Sequence, residues 1–289
     1  MKKKIDQRTV IIVLCIIIIV AVCTILIGER VSGMKAGMVQ NEVKQLMEQG
    51  KKNASAAGPK PAQSESDAHT GGSEIPDADP NAEPVIQDDF LPLLEQNEHF
   101  VGWLTADENI DYPVVQYNNY YYLTHNFFDA YDINGIPFMD EHNSLLPKDD
   151  VLIIDGHNMK SGAIFGRLKR YMDYDYMSRN PLVTFRTIYD AEDVYYTPVA
   201  VVNFSLLADD KHFFNVKRIN FETDEDFQSY MDEITERSEW EAKVDVQPGD
   251  KMLALLTCSY FYNYGRLLLL CRQLRDGETP ESIEALYAD

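Results

Sequence analysis

Residues Ala254 to Leu270 read ALLTCSYFYNYGRLLLL. One apolar run ends at Thr257-Cys258, and Arg266 opens a second after a polar and aromatic loop. Short apolar runs bounded by turn formers read as buried strands, and Asn263 and Gly265 supply the turn. Paired antiparallel, the two strands bring a thiol and a guanidinium to neighbouring strand mouths. The thiolate is the attacking form of cysteine and needs a base or cation beside it. The pair alone therefore admits two readings, an active site or an inert core thiol with a surface charge.

A base has to come from another segment. His157 stands apart from the other histidines because it follows the strand-like DVLIID in Gly156-His157-Asn158. Gly156 permits a sharp exit from that strand, and Asn158 can bond backbone. His69, His99, His125, His142 and His212 sit in tether, polar or aromatic surroundings and read as ordinary positions. A Cys-His-Arg set on three strand ends is the constellation of a cysteine acyltransferase or hydrolase. In it His157 exchanges protons with thiol and leaving amine, while Arg266 holds the carbonyl and its oxyanion. No Gly-rich phosphate loop, zinc-type cluster or spaced carboxylate motif competes with this reading, and neither a metal nor a cofactor is expected.

Outward from this stretch, the segments GWLTADENIDYPVVQ, GIPFMD, DVLIID, LVTFRT, DVYYTPVAVVNF, KMLALLTC and GRLLLLCRQL alternate with Asn/Asp/Gly turns. Many short strands at close spacing predict a mainly β fold with a closed or nearly closed barrel. Three helices are expected around it: one within DDFLPLLEQNEHF, an amphipathic one over AIFGRLKRYMD, and one over Thr223–Ser238 opened by a Thr223/Asp226 capping box. Cys271 reads as a small apolar core residue.

The N-terminal part has a different character. Val10 to Gly28, VIIVLCIIIIVAVCTILIG, carries no charge and has the length of a bilayer crossing. Lys2, Lys3, Lys4 and Arg8 precede it against Asp6 alone, which places residues 1–9 in the cytoplasm and the rest outside. A cleaved signal peptide has a shorter apolar region followed by small residues; this one is longer and runs into Gly28-Glu29-Arg30, so an uncleaved single-pass anchor in the cell membrane fits better. Residues 29–84 are read as stalk and flexible linker, since 51–84 hold Ala, Ser, Gly, Pro and Asp with almost no large apolar residue. Residues 85–289 form the expected extracellular catalytic domain. Charge divides in the same way: residues 1–60 have ten Lys/Arg against four Asp/Glu, and residues 61–289 have 16 against 43. Such an acidic exterior speaks against a nucleic-acid partner, whose phosphates need a basic footprint.

Over roughly Val85 to Arg275 six stretches, GWLTADENIDYPVVQ, NNYYYLTHNF, IPFMDEHN, GHNMKSGAIFGRL, LLTC and GRLLLL, come in the order and spacing of one family. In them the chain resembles a class B sortase, a membrane-anchored cysteine transpeptidase of Gram-positive bacteria. The resemblance implies a sortase barrel with added N-terminal helices and a helix before the catalytic strand. It places the catalytic residues at His157, Cys258 and Arg266. It further implies cleavage of an LPXTG- or NPXTX-like sorting motif after Thr through a Cys258 thioester, and transfer to an amine of a peptidoglycan precursor or a pilin. Thr257, Tyr260, Phe261 and Tyr262 are then expected to contact the sorting peptide. The implied partners are surface proteins or pilins bearing that motif, the cell-wall precursor, and the membrane through residues 10–28.

Two positions depart from the family pattern, Asp155 where it has Tyr and Ala254 where it has Thr. Asp155 is expected to raise the His157 pKa by favouring the charged imidazole. Two other readings share these residues: a catalytically silent peptide- or wall-binding module, and a hydrolytic cysteine protease. The complete His-Cys-Arg set argues against the first, and the absence of papain- and caspase-type cysteine signatures against the second.

Overall fold

The barrel is built around three strands that are buried on both faces and others that alternate. In the computed structural model, which describes residues 7–57 and 84–288, eight strands close in the order β1-β2-β3-β4-β7-β8-β6-β5. They are β1 (Phe100–Ala106), β2 (Ile110–Val115), β3 (Phe138–Met139), β4 (Val151–Asp155), β5 (Val183–Thr187), β6 (Tyr195–Ser205), β7 (Met252–Cys258) and β8 (Gly265–Gln273). Most neighbours are antiparallel; β2–β3 and β4–β7 are parallel. Side chains alternate across a strand, so Leu253 and Leu255 of β7 and Leu267 and Leu269 of β8 fill the barrel. Met252, Ala254 and Leu256, with Leu268 and Leu270, pack on the other face. That second face is covered by α4 (Asp224–Thr235), whose Phe227, Tyr230, Met231 and Ile234 are buried against it. Continuous apolar runs in β4, β7 and β8 are the consequence of burying both faces.

Helix α4 starts where the capping residues place it: the Thr223 hydroxyl accepts from the Asp226 amide. It ends at Thr235, short of Ser238. Helix α2 (Leu91–Gln96) follows a single 3-10 turn at Asp88–Phe90. The amphipathic helix expected over AIFGRLKRYMD does not form. Ile164 sits at φ 54°, in the left-handed region, Asn158 bridges to Ile164, and only Leu168–Met172 make a 3-10 helix. Gly162 and Gly166 weaken helical continuation there. Two short helices complete the fold, α3 (Tyr174–Arg179), N-capped by Asp173, and α5 (Pro280–Tyr287).

The N-terminal segment differs most from expectation. Helix α1 (Gln7–Ala57) is continuous through Val10–Gly28 and through the first half of the expected linker. Its Val43 and Met47 are buried beside Phe90, Leu93 and Phe100, so the folded unit recruits residues well before Val85. The apolar spacing of Val39, Val43, Leu46 and Met47 gives one helix face that this part of the barrel covers. Residues 1–6 and 58–83, which hold the remainder of the expected cytoplasmic tail and linker, lie outside the described residues. Among the described residues no helix is long and apolar enough to cross a membrane.

Candidate active site

Strand register brings the chemistry together. Cys258, the last residue of β7, is the antiparallel partner of Arg266, the second of β8. Alternation places both on the face that carries Leu256 and Leu268. On the other side of β7, parallel pairing sets Asp155 opposite Leu256, and the Gly156 amide continues the ladder to the Leu256 carbonyl at 3.1 Å. Two residues beyond Asp155, His157 therefore stands level with Cys258. The turn that carries His157 thus leaves β4 beside the end of β7, where Asn158 Nδ2 meets the Cys258 carbonyl, and β8 sets Arg266 on the other side of Cys258.

Three hydrogen bonds hold the His157 turn, two of them to β7. Thr257 Oγ1 donates to the Gly156 carbonyl at 2.6 Å, and Asn158 Nδ2 donates to the Cys258 carbonyl at 2.8 Å. His157 Nε2 lies 2.8 Å from the Leu123 carbonyl. A carbonyl only accepts, so this nitrogen carries a proton and Nδ1 is the one free to exchange. Gly156 is required by close packing: a Cβ there would come 2.8 Å from Ile164 Cγ2 and 2.9 Å from Phe165 Cδ2.

Asp155 is the departure with electrostatic weight. Burial pushes its carboxyl up to about 7; Arg266 pulls in the opposite direction, as does the Gly156 amide, and Asp140 adds to the rise. Its cationic neighbour is thus Arg266. Ala254 is fully buried among Ile153 and Leu270, on the packed face away from the strand mouth. Cys271 is a core thiol that burial holds protonated, since its pKa is driven up and its side chain is fully enclosed.

The four residues expected to contact substrate separate into three kinds. Tyr260 and Phe261, 84% and 66% exposed, line a cavity of about 280 Å³ together with Cys258, Met172, Asn203 and Leu267. Tyr262 does not line it; its ring stacks on His212 at 4.1 Å. Thr257 is corrected outright: its side chain is fully buried and committed to Gly156, so it positions the His157 turn instead of meeting a ligand. A larger cleft of about 600 Å³, beside Lys51, Gln87 and Arg186, has neither thiol nor imidazole in its wall. Among the described residues no group of His, Cys, Asp or Glu could hold a metal ion. The sequence offered no signal for the Leu123 carbonyl, because a backbone acceptor brought in by a distant loop leaves no mark in residue type.

A thiol paired with a guanidinium, beside a turn that carries an imidazole, suits acyl transfer. No family model matches the chain. Sortase B of Listeria monocytogenes is 30% identical over 196 residues, covering 65% of this chain and 75% of that protein. The crystal structure of sortase B from Bacillus anthracis in complex with AAEK1 superposes with a TM-score of 0.57 at 27% identity, over 66% of this chain and 86% of the other. A Staphylococcus aureus sortase B–substrate complex shares the fold, with a TM-score of 0.59 at 24% identity over 66% and 87% of the two chains. With its register-set His157, Cys258 and Arg266 in a barrel of that topology, the chain belongs to the class B sortases, the cysteine transpeptidases.

Proposed function

We propose that this sortase cleaves an LPXTG- or NPXTX-like sorting motif after its Thr and transfers the new carboxyl end to an amine of a cell-wall precursor or a pilin. The observation that carries the reading is the pairing of Cys258 with Arg266 in the β7–β8 ladder, with the His157 turn bonded to the end of β7. The relation to sortase B of Listeria monocytogenes supports this reaction class.

The chemistry runs in two balanced halves. Cys258 Sγ, as thiolate, adds to the Thr carbonyl carbon, and the oxygen takes up the negative charge beside the Arg266 guanidinium. The C–N bond then breaks, His157 Nδ1–H protonates the departing amine, and a thioester on Cys258 remains. In the second half an acceptor amine adds to the thioester carbonyl and gives a proton to His157 Nδ1. The C–S bond breaks and returns the thiolate.

In the same reading the enzyme is held in the cell membrane by Val10–Gly28, with its N-terminus in the cytoplasm and the barrel outside. Ile11, Val13, Leu14, Ile16 to Val20, Val22 and Leu26 are all about half exposed in α1, so apolar side chains ring the helix without a protein cover. A helix that is apolar all round needs a core or a bilayer, which supports the anchor.

The test is to incubate the full chain with a panel of sorting-motif peptides, with and without candidate amines, and to identify products by mass spectrometry. Amine-dependent ligation products that vanish in Cys258→Ala are expected. Hydrolysis alone with every amine would favour a protease, and no product with any peptide would favour a binding module.

A further inference from the structure

Against the acidic background of the chain, Gly156 to Met172 contains no Asp or Glu and four basic residues, Lys160, Arg167, Lys169 and Arg170. All four are exposed. Several basic residues elsewhere on the barrel are paired with carboxylates, as Arg186 is with Asp89, Lys251 with Asp150 and Arg272 with Glu278. Among the described residues Lys160, Arg167 and Lys169 have no such partner, while Arg170 lies over the Tyr176 ring. The two neighbouring carboxylates on the adjoining loop are locally engaged: Asp129 accepts from the Tyr122 hydroxyl and Asp132 from the Asn134 amide.

Helix α1 gives this basic segment a direction. Gly28 lines a cavity of about 320 Å³ together with Ile133, Asn158, Met159, Lys160 and Ser161. A Cβ on Gly33 would lie 3.8 Å from Ser161 Cβ. At the other end of the barrel Gln40 Nε2 donates to the Asp111 carbonyl and Lys44 pairs with the Asp111 carboxylate at 2.5 Å. A rise of about 1.5 Å per residue puts Gly28 roughly 24 Å from Lys44 along the helix. The catalytic mouth is therefore the end of the barrel nearest the apolar half of α1. Tyr131 and Ile133, 75% and 60% exposed, stand on the same side as the basic segment. Tyrosine and apolar side chains favour the membrane interface, and Lys and Arg favour anionic headgroups.

We infer that Lys160, Arg167 and Lys169, with Tyr131 and Ile133, form a surface that docks on the phosphate headgroups of anionic lipids and opens the Cys258 mouth at the bilayer surface. This rests on the anchoring of the chain through Val10–Gly28, and not on the identity of the sorting motif or acceptor.

Hydrogen exchange of the full chain in nanodiscs tests the inference, comparing phosphatidylcholine alone with phosphatidylcholine and phosphatidylglycerol. Exchange at 131–134 and 158–170 is expected to slow about fivefold in the anionic discs, the factor one basic side chain contributes near such a surface. The β1–β2 turn at 107–111 is expected to be unchanged. Lys160→Glu/Lys169→Glu is expected to abolish the slowing while keeping native protection in β7 and β8, which confirms that the variant is folded. Equal exchange in both kinds of disc would overturn the inference and leave the anchor intact. Equal slowing by soluble glycerol phosphate in neutral discs would overturn it in favour of a small-anion site. A chain that fails to enter discs at all would remove the anchor and the inference together, and co-purification with the discs detects that case separately.

Discussion

Cys258 and Arg266 are direct partners in the antiparallel β7–β8 ladder, so the distance between thiol and guanidinium is set by a sheet and not by the Ser259–Tyr264 loop. Partners across such a ladder have Cα atoms about 5 Å apart. Their relation survives changes in the loop, and a substrate carbonyl attacked by the thiol meets the cation without rearrangement.

Arg266→Ala is expected to lower kcat for a fluorogenic sorting peptide by about 10²–10³, the usual loss on removing one oxyanion donor. KM is expected to change far less. Arg266→Lys is expected to recover little, because an ammonium lacks the planar fork of donors. Steady-state kinetics over a full peptide titration separates the two parameters; a raised KM at unchanged kcat would assign Arg266 to ground-state binding.

Asp155 makes stability depend on pH. Its carboxyl is raised to about 7 in the folded chain from the ordinary value of 3.8, so the folded state binds the extra proton. Stability is then lost as pH rises from the ordinary carboxylate range through about 7, and is constant above. Asp155→Asn is expected to match the parent at the acidic end and to exceed it in urea midpoint above about pH 8. A difference between the two that is the same at every pH would exclude this ionisation. Because Arg266 is the neighbouring cation, the parent's kcat is also expected to fall across the same range relative to the variant.

Thr257→Val leaves the Gly156 carbonyl without its hydroxyl partner. The expected cost is about 1–3 kcal/mol of stability, together with a lower kcat as the His157 turn loosens. Thr257→Ser is expected to restore both. Restoration of stability without restoration of kcat would separate Thr257 from the positioning of His157.

The α1 contact is energetic as well as geometric. Met47→Ala is expected to cost about 2–5 kcal/mol, as for other buried large-to-small changes. A chain beginning at residue 85 is expected to unfold at lower urea than one beginning at residue 34. Coincident midpoints would mean that Val43 and Met47 add nothing to the barrel.

Much of this was legible in the sequence because it depends on local pattern. Apolar runs ending at Asp155 and Cys258 and beginning after Arg266 marked strands, and the Thr223 cap marked α4. Gly156-His157-Asn158 announced a turn at a strand mouth. What could not be read depends on pairing partners far along the chain. Nothing in the residue types says that β4 lies parallel to β7 in the register that levels His157 with Cys258, or that the Leu123 carbonyl fixes the imidazole. Thr257 looked like a substrate contact because it adjoins the nucleophile; strand alternation turns its side chain inward instead. The helical pattern at AIFGRLKRYMD yielded to Ile164's left-handed backbone and to tertiary packing around Gly156.

The most direct measurement of the central claim is the intact mass of the full chain after mixing with a sorting-motif peptide in the absence of any amine. The account predicts a gain equal to the peptide through its Thr, located on Cys258 by peptide mapping, released by hydroxylamine, and absent in Cys258→Ala. A protein that turns over the peptide with no such adduct at any time, or an adduct that persists in Cys258→Ala, would contradict it.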